Sequence, residues 1–208
     1  MKFKTEQEEF WAGEFGVEYI NRNQGAKAIA GNLNFFSKSL SKTKRIKSCI
    51  EFGANIGLNL SAINLLFPGI DSHAVEINAR ACDELKKSFA PPPNVYNESI
   101  LDFVPKNKYD LVLIKGVLIH INPEQLKNVY EKLVASTSQY LMIAEYYNPS
   151  PTMITYRGHS DRLFKRDFAG EILEQFPQMQ LLDYGFVYHR DLNFPQDDIT
   201  WFLMEKSR

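Results

Sequence analysis

Short apolar runs alternate with stretches of helical periodicity along most of the chain. Nearly continuous apolar runs are typical of buried strands, and apolar residues spaced three or four apart are typical of helices. The runs predicted as strands cover residues 49–52, 70–75, a short segment before residue 98, 109–115, 140–144, 181–188 and 199–205. The stretches predicted as helices cover residues 26–40, 58–67, 78–89, 122–134 and 167–176. Strands that alternate with helices predict an α/β protein.

Capping residues mark the predicted starts of two helices, an N-terminal one and the one at residue 122. Thr5 and Glu8 have the form of a capping box at the start of a short amphipathic helix within residues 4–24. Asn122 and Pro123 open another helix, because asparagine caps a helix and proline is tolerated in its first turn. The sequence therefore predicts where each of these two helices begins.

A glycine-containing loop follows the first predicted strand. It contains Gly53 and Gly57, with Glu51 at the end of the strand and Asn55 between the glycines. Glycines allow the backbone to turn tightly and approach a ligand closely, and the next helix offers free N–H groups at its start. Strand, loop and helix together are typical of a nucleotide-binding turn. An ordinary strand-to-helix turn with two structural glycines is the alternative.

The residues of this loop help to distinguish between nucleotides. The dinucleotide fingerprint has the form G-x-G-x-x-G, and Asn55 replaces its middle glycine. Glu51 also places a carboxylate before the first glycine. A carboxylate suits the cationic end of a ligand, such as an amino group or a sulfonium, better than a pyrophosphate. The loop therefore argues against a nicotinamide-dependent oxidoreductase, which stays the alternative enzyme class.

Polar residues follow the next predicted strands as well. Glu76 ends the second strand, one βαβ step after Glu51, where an acid is suited to bind two ribose hydroxyls. A surface helix-cap carboxylate is the alternative for Glu76. Asp102 follows the third strand, where it would contact an adenine amino group. The fourth strand continues into Gly116 and His120 in the segment YDLVLIKGVLIHI.

This series resembles the class I S-adenosylmethionine-dependent methyltransferases. The resemblance rests on the E-x-G-x-x-x-G loop, Glu76, Asp102 and the segment 109–121, and it covers residues 46–145. It implies a Rossmann-like, seven-stranded, mostly parallel sheet with helices on both faces and an antiparallel last strand. It also implies S-adenosylmethionine as the cofactor and S-adenosylhomocysteine as the product. The cofactor-binding residues that it implies are Trp11, Tyr19, Asn23, Glu51, Gly53, Asn55, Gly57, Glu76, Ile77, Ser99, Ile100, Leu101, Lys115, Gly116 and His120.

Two residues depart from the pattern of that family. Asn55 stands in place of the usual middle glycine, which would alter the approach of the backbone to the cofactor. Lys115 stands where small residues are common, so it places a cation near the pocket or on a solvated strand end.

The opening segment TEQEEFWAGEFGVEYINRN, residues 5–23, resembles more specifically the methylases associated with pseudaminic acid biosynthesis. In that family the segment is a lid over the cofactor, which implies that Tyr19 and Asn23 reach its methionyl part. Packing of the aromatic side chains is the alternative. The resemblance implies methyl transfer to a sugar or sugar nucleotide of the pseudaminic acid or surface glycan pathway. Another small molecule or a nucleic acid is the alternative acceptor.

A long polar and aromatic connection, residues 145–168, follows the predicted fifth strand. Loops of this length are usually functional or disordered, and open α/β sheets bind ligands at the carboxyl ends of their strands. We therefore interpret the connection as the substrate loop. Its arginines suit a substrate carboxylate or phosphate, whereas Lys165 and Arg166 are interpreted as a solvated basic edge. The candidate substrate-binding residues are Tyr146, Tyr147, Asn148, Tyr156, Arg157 and Arg162.

Two histidines are candidate catalytic bases. Methyl transfer mainly requires alignment of the acceptor with the carbon–sulfur bond. An oxygen or nitrogen acceptor must also lose a proton, and histidine titrates near neutrality, so His159 and His120 are candidates. A packed or surface imidazole is the alternative for each of them. The sequence contains no evident metal-ligand cluster, so we expect a reaction without a metal.

The composition fits one ordinary globular domain. The chain has 208 residues, of which 44% are hydrophobic and 24% charged. We expect a single class I domain with a helical lid in residues 1–45, a cofactor-binding half in 46–145, and the substrate loop and last strands in 146–208. Cys49 and Cys82 suggest neither a disulfide framework nor a zinc site.

Charge and hydropathy bear on partners and location. The net charge of −1 gives no support for a strongly basic nucleic-acid-binding face. Residues 1–10 are charged, unlike a secretory signal, and no apolar run is long enough to span a bilayer. We expect a cytoplasmic monomer or homodimer with a small-molecule partner and no membrane partner. A non-catalytic protein that binds the cofactor is the third functional class, because binding alone does not establish turnover.

Overall fold

The computed structural model describes residues 3–22, 25–156 and 158–207. Its helices are α1 (Glu6–Ala12), α2 (Glu14–Arg22), α3 (Ala26–Ser39), α4 (Leu58–Leu66), α5 (Ala79–Lys87), α6 (Leu126–Ser136) and α7 (Phe168–Gln175). Its strands are β1 (Ser48–Phe52), β2 (Asp71–Val75), β3 (Asn94–Tyr96), β4 (Tyr109–Lys115), β5 (Thr137–Glu145), β6 (Thr152–Tyr156), β7 (His159–Lys165), β8 (Met179–Val187) and β9 (Ile199–Lys206). Single 3-10 turns form at Leu118–His120 and Pro123–Gln125.

Seven of these strands form one mixed sheet in the order β3-β2-β1-β4-β5-β9-β8. The strand β1 pairs in parallel with β2, β2 with β3, and β4 with β5. The strand β9 lies antiparallel to both β5 and β8. The predicted fold class, a mostly parallel seven-stranded sheet with an antiparallel last strand, is confirmed.

The chain divides into two compact units, Met1–Val104 and Pro105–Arg208. In the first unit, four of the five residues of β1 and of β2 are buried, as expected for parallel strands covered on both faces. Burying one large apolar side chain stabilises a fold by about 1.5–3 kcal/mol. The large side chains that form this core are Phe35, Phe36, Ile50, Phe52, Leu60, Ile63 and Leu85.

The second unit is built around β4 and β5, which are buried along almost their whole lengths. The helix α6 packs its apolar face here, and Leu126, Val129 and Leu133 are buried as the helical spacing predicts. The strand β5 extends to Glu145, one residue beyond the predicted run. Because of this extension, Glu145 is a strand residue and not the first residue of a loop.

The connection predicted as an irregular substrate loop forms a β-hairpin instead. The strands β6 and β7 pair antiparallel in a two-stranded sheet of their own. Gly158 lies between them with φ of 87°, a left-handed conformation that tight hairpin turns require. The segment TMITY of β6 is rich in β-branched residues, which favour extended backbone. The prediction of an irregular loop was wrong because it gave more weight to the polarity and the two prolines of the segment than to its local strand propensity.

The N-terminal segment also differs from its prediction. It forms two helices where one was predicted, because α1 ends at Gly13, whose N–H donates to the Glu9 carbonyl at 3.0 Å. The predicted capping box is present: the Thr5 hydroxyl accepts from the Glu8 N–H, and the Glu8 carboxylate accepts from the Thr5 N–H. None of the helices in the described ranges combines the length and apolar content that a membrane crossing requires.

Candidate functional site

A carboxylate at the end of β2 holds the loop that follows β1. Glu76 accepts a hydrogen bond from the Asn55 N–H at 2.7 Å on one oxygen and from the Asn78 N–H at 2.8 Å on the other. The Gly53 N–H donates to the Val75 carbonyl at 2.8 Å. Glu76 is only 8% exposed, and burial raises the pKa of its carboxyl against the lowering effect of the backbone donors. It is therefore a buried organising residue and not a surface helix cap.

The asparagine that replaces a glycine of the family pattern fits the shape of the loop. Asn55 has φ of 48°, in the left-handed region where asparagine is among the best tolerated non-glycine residues. Its Oδ1 accepts a hydrogen bond from the Ile56 N–H at 2.7 Å. The departure from the family pattern thus preserves a left-handed turn and adds a local hydrogen bond.

Substitutions of Asn55 test this explanation. Asn55→Ala should lower the free energy of unfolding by about 1–2 kcal/mol, because alanine loses the hydrogen bond and is disfavoured at positive φ. Asn55→Gly loses the same hydrogen bond but adopts the conformation freely, so its stability should stay within about 0.5 kcal/mol of the wild type. Urea unfolding of the three proteins measures both values. Equal losses in the two variants would contradict the conformational explanation.

The end of β1 carries the second carboxylate of this loop. Glu51 is fully buried, and its Oε1 accepts a hydrogen bond from Asn59 Nδ2 at 2.6 Å. This bond ties the end of β1 to the first turn of α4. Gly57, with φ of 80°, precedes that helix in a left-handed conformation. All four predicted loop positions, Glu51, Gly53, Asn55 and Gly57, therefore lie together in the first unit with Glu76.

The N-terminal helix α1 docks on the turn that contains predicted adenine-binding residues. Ser99 is buried, and its hydroxyl donates a short hydrogen bond to Glu8 Oε1. Lys4 Nζ pairs with Asp102 Oδ1 at 2.5 Å and donates to the Leu101 carbonyl at 3.4 Å. The segment predicted as a lid is thus joined to the turn at residues 99–102.

Aromatic rings of α1 and α2 stack around Trp11. The Tyr19 and Phe15 rings each lie 5.3 Å from the Trp11 ring, in edge-to-face geometry. Asn78 Nδ2 donates to the carbonyls of Trp11 and Ala12 at 3.3 Å each, which links α1 to the start of α5. Trp11 and Tyr19 are therefore packed together and are only partly buried. Asn23, the third residue predicted for the methionyl part, lies outside the described residues.

The remaining cofactor candidates of the first unit flank these groups. Ile77 follows Glu76 and is half-buried, and its carbonyl accepts from Asn97 Nδ2 at 3.1 Å. Ile100 and Leu101 are buried beside Ser99. The structure thus groups Ile77 with the Glu76 end of β2, and Ile100 with the turn on which α1 docks.

In the second unit, a buried carboxylate at the end of β5 holds the turn after β4. Glu145 is 2% exposed, and its Oε1 accepts hydrogen bonds from the N–H groups of Val117 and Leu118, each at 2.9 Å. Gly116, with φ of 68°, redirects the chain after Lys115, and its N–H donates to the Ala144 carbonyl at 2.9 Å. Burial raises the pKa of Glu145 to about 7, although the backbone donors and Lys115 lower it.

His120 ends the same turn and joins it to the hairpin. Its Nδ1 lies 2.6 Å from the Arg162 carbonyl. A carbonyl only accepts, so Nδ1 carries the hydrogen and Nε2 is the basic nitrogen. The ring lies 5.2 Å from that of Tyr156. Burial lowers the pKa of His120 to about 4, against the effect of the Arg162 carbonyl, so the imidazole is neutral at pH 7.

The pKa shifts of Glu145 and His120 are opposite, so the pH dependences of their contributions to stability nearly cancel. Glu145 shifts from 4.5 to about 7 on folding, so its contribution is present below pH 4.5 and is lost as pH rises through 7. His120 shifts from 6.5 to about 4, so its contribution is present above pH 6.5 and is lost as pH falls through 4. Each contribution spans about 3 kcal/mol.

Single variants should therefore tilt the pH dependence in opposite directions. Relative to wild type, the free energy of unfolding of Glu145→Gln should fall between pH 7 and pH 4.5 as the pH decreases. The free energy of unfolding of His120→Asn should rise as the pH decreases over the same interval, because only the contribution of Glu145 is left. Urea unfolding at several pH values measures both slopes. Curves parallel to the wild type in either variant would contradict the corresponding pKa shift.

The predicted substrate residues lie along the end of β5 and the hairpin. The Tyr146 ring lies under Lys165, with Nζ 5.0 Å from the ring centroid, and the Tyr147 ring lies 6.0 Å from that of Phe202. Asn148 Nδ2 donates to the Ser150 carbonyl at 2.6 Å. Tyr156 and Arg162 are the substrate candidates for which a contact with His120 is described.

Two predicted residues of the hairpin have no described side chain, and one basic residue differs from its interpretation. Arg157 lies outside the described residues, and for His159 the structure describes only the backbone, at the start of β7. Arg166 is not a solvated edge residue, because its Nε pairs with Glu171 Oε1 at 2.5 Å in a partly buried position.

Sequence reasoning missed three organising residues, Glu145, Glu8 and Asn78. Glu145 had a detectable signal, since it follows an apolar run in the same way as Glu51 and Glu76 follow theirs. The capping box identified Glu8 only as a helix-start residue, and its bond to Ser99 spans 91 positions. Within the described ranges, no three His, Cys, Asp or Glu side chains form a group that could hold a metal ion.

Solved structures with the same fold are S-adenosylmethionine-dependent methyltransferases. Magnesium protoporphyrin IX methyltransferase from Synechocystis PCC 6803, with bound S-adenosylhomocysteine, has a TM-score of 0.70 at 14% identity over 96% of this chain and 98% of its own. The 1,6-didemethyltoxoflavin-N1-methyltransferase of Burkholderia thailandensis, with its substrate and S-adenosylhomocysteine bound, has a TM-score of 0.71 at 14% identity over 97% and 87%. The N-methyltransferase NodS of Bradyrhizobium japonicum WM9 has a TM-score of 0.65 at 13% identity over 88% and 97%.

These similarities show that the chain has the class I methyltransferase fold, as the motifs predicted. No protein-family profile matches the chain, and no curated protein matches it. Two of these neighbours are named for small molecules, magnesium protoporphyrin IX and 1,6-didemethyltoxoflavin.

Proposed function

We propose that this protein transfers a methyl group from S-adenosylmethionine to a small-molecule acceptor. The observation that carries the proposal is the buried carboxylate of Glu76 at the end of β2, which holds the left-handed glycine loop that follows β1. An acid at this place in a βαβ unit is suited to bind the two hydroxyls of a ribose. When bound, S-adenosylmethionine supplies a methyl group activated by a positively charged sulfonium. The proposal thus rests on the fold and on two acids, Glu76 for the ribose and Glu51 for the cationic end of the cofactor.

Each group of the first unit has a proposed role in holding the cofactor. Both Glu76 oxygens already accept one backbone N–H, and each has capacity for a further donor from the ribose. Glu51 provides negative charge for the cationic end, and the backbone of Gly53, Asn55 and Gly57 allows close approach. The residues proposed for the adenine are Ser99, Ile100, Leu101 and Asp102, and those proposed for the lid are Trp11, Tyr19 and Asn23.

Residues of the second unit have proposed roles of their own. Gly116 gives the turn after β4 its left-handed conformation, and Lys115 and His120 flank that turn. We propose His120 and His159 as candidate proton acceptors. For His120 this role would use Nε2, because Nδ1 donates to the Arg162 carbonyl.

We further propose that the acceptor is a sugar or a sugar nucleotide of the pseudaminic acid or surface glycan pathway. This part rests on the resemblance of residues 5–23 to the pseudaminic acid-associated methylases. The character of the substrate candidates supports it, because sugar recognition uses aromatic surfaces and hydrogen-bonding side chains. These candidates are Tyr146, Tyr147, Asn148, Tyr156, Arg157 and Arg162.

Calorimetric titration with S-adenosylmethionine, S-adenosylhomocysteine and NAD tests the cofactor. The first two should bind with micromolar affinity, and NAD should not bind. S-adenosylhomocysteine formation is then measured with sugar nucleotides, including CMP-pseudaminic acid, and with an unrelated small-molecule panel. Binding of NAD alone would overturn the proposal in favour of an oxidoreductase. Binding of S-adenosylmethionine without turnover on either panel would favour a cofactor-binding protein that is not an enzyme.

A further inference from the structure

One oxygen of the buried Glu145 carboxylate makes no hydrogen bond to the described residues. Oε1 accepts the two N–H groups that fix the turn after β4, whereas Oε2 has no hydrogen-bond partner within the part of the chain that the structure describes. A buried acceptor left without a partner destabilises the fold, and more so when it is charged. The hydrogen bonds to the turn account for the burial of Oε1, but they do not account for the burial of Oε2.

Two polar side chains, one on α6 and one in the turn, already have hydrogen-bond partners. On α6, the Tyr130 hydroxyl donates to Glu171 Oε2 at 2.6 Å. In the turn, His120 Nδ1 donates to the Arg162 carbonyl. The charged and titratable groups that act on the Glu145 carboxyl are Lys115 of β4, which lowers its pKa, and Tyr130, whose own pKa the carboxylate raises. The paired residue on β9 is the uncharged Thr200. Oε2 is therefore free to accept a hydrogen bond from a bound ligand.

We infer that Oε2 of Glu145, in place of the two candidate histidines, accepts the proton of the acceptor's hydroxyl or protonated amine during methyl transfer. The inference rests on the proposed function. The acceptor oxygen or nitrogen forms a bond to the methyl carbon as the carbon–sulfur bond breaks, and that electron pair stays on sulfur. The acceptor's proton moves to Glu145 and then to water, so the step is balanced. A carboxylate acceptor is already deprotonated at neutral pH and needs no such base, so the inference favours hydroxyl and amine acceptors.

The proton affinities of Glu145 and His120 support this assignment. The environment raises the pKa of Glu145 to about 7 and lowers that of His120 to about 4, so the carboxylate is the stronger base of the two. A base whose pKa lies near the working pH is best suited to general catalysis. Groups pushed in opposite directions by their surroundings commonly mark acid–base sites.

Glu145→Gln separates proton acceptance from the structural bond. The glutamine carbonyl can accept the same Val117 and Leu118 N–H groups, but the side chain cannot take a proton at neutral pH. With S-adenosylmethionine and the sugar nucleotide panel, kcat should fall by about 100-fold or more, with an unchanged KM for S-adenosylmethionine. The acidic limb of the wild-type kcat profile, centred near pH 7, should disappear. A variant that turns over at the wild-type rate would overturn the inference.

A second readout needs neither cofactor nor acceptor. The carboxyl band of Glu145 is identified in the infrared spectrum of the free protein as the difference between wild type and Glu145→Gln. It should titrate near pH 7. A band that titrates in the ordinary carboxyl range would mean a solvated, partnered group and would overturn the inference. Glu171→Gln is the matched control, because it removes a carboxylate of the same unit that already bonds Tyr130 and Arg166.

The two proposals fail in different ways. If the wild type does not bind S-adenosylmethionine, the proposed function fails, and the infrared titration alone decides whether Glu145 is a poised base. If the wild type forms S-adenosylhomocysteine and Glu145→Gln does so equally well, only the inference fails. Loss of turnover in both Glu145→Gln and Glu171→Gln would indicate a general structural effect and would also overturn it.

Discussion

Replacing Glu76 by alanine should weaken the binding of S-adenosylhomocysteine by about 100-fold. The substitution removes the acceptor of the Asn55 and Asn78 N–H groups, at 2.7 and 2.8 Å, and the group proposed to bind the ribose hydroxyls. Hydrogen bonds to a charged group contribute about 1.5–3 kcal/mol each, so losing part of this set suffices for the effect. Calorimetric titration measures the affinity, and circular dichroism establishes that the variant is folded.

Two further variants define the origin of this effect. Glu76→Gln keeps one acceptor oxygen, so its affinity should lie between those of the wild type and the alanine variant. Glu84→Ala removes an exposed glutamate of α5 that pairs with Lys87 three residues later, so its affinity should equal that of the wild type. Wild-type affinity in a folded Glu76→Ala protein would remove Glu76 from the site and with it the main support for the proposed function.

Gly57→Ala should lower the free energy of unfolding by about 3 kcal/mol or more. Gly57 has φ of 80°, and a Cβ there would lie 2.9 Å from Leu85 Cγ and 3.1 Å from Phe89 Cε2. The left-handed conformation costs a residue with a Cβ about 1–2 kcal/mol, and forcing an extra methyl group into a packed core costs about 1–3 kcal/mol. Leu85 is fully buried, so it has little room to move. Urea unfolding measures the loss.

Gly69→Ala is the matched control for Gly57→Ala. Gly69 has almost the same φ, 81°, and no atom lies within 4 Å of a Cβ placed there. Its alanine variant should therefore show only the conformational cost of about 1–2 kcal/mol. The difference between the two variants isolates the steric contribution of Leu85 and Phe89. Equal losses would show that the helix α5 does not pack against the loop as closely as described.

The sequence predicted those features whose physical causes lie within a few residues. The capping box of Thr5 and Glu8 needs only a hydroxyl and a carboxylate three positions apart, and both of its hydrogen bonds are present. The buried run of β1 is recognisable because a strand covered on both faces must be apolar throughout. The same local features allowed the fold class and the loop between Glu51 and Gly57 to be predicted.

The hairpin of β6 and β7 was missed because its strands carry little of this signal. Most of β6 is exposed or half-buried, and the hairpin belongs to no large sheet, so no continuous apolar run marks it. Its turn at Gly158 and its β-branched residues were the available signals. Short strands of this kind depend on pairing with each other more than on burial.

By itself the sequence determined the alternation of strands and helices, the helix starts and the glycine loop, because capping, turn formation and apolar burial are encoded by neighbouring residues. Only the tertiary structure decided what the acids do. Glu145 is one of many carboxylates in the chain, and burial raises its pKa against the lowering effect of backbone donors 27 and 28 positions away. Glu8 likewise gained its bond to Ser99 only when folding brought distant segments together. The protonation and hydrogen bonding of a buried group depend on desolvation and on partners that only the folded chain assembles.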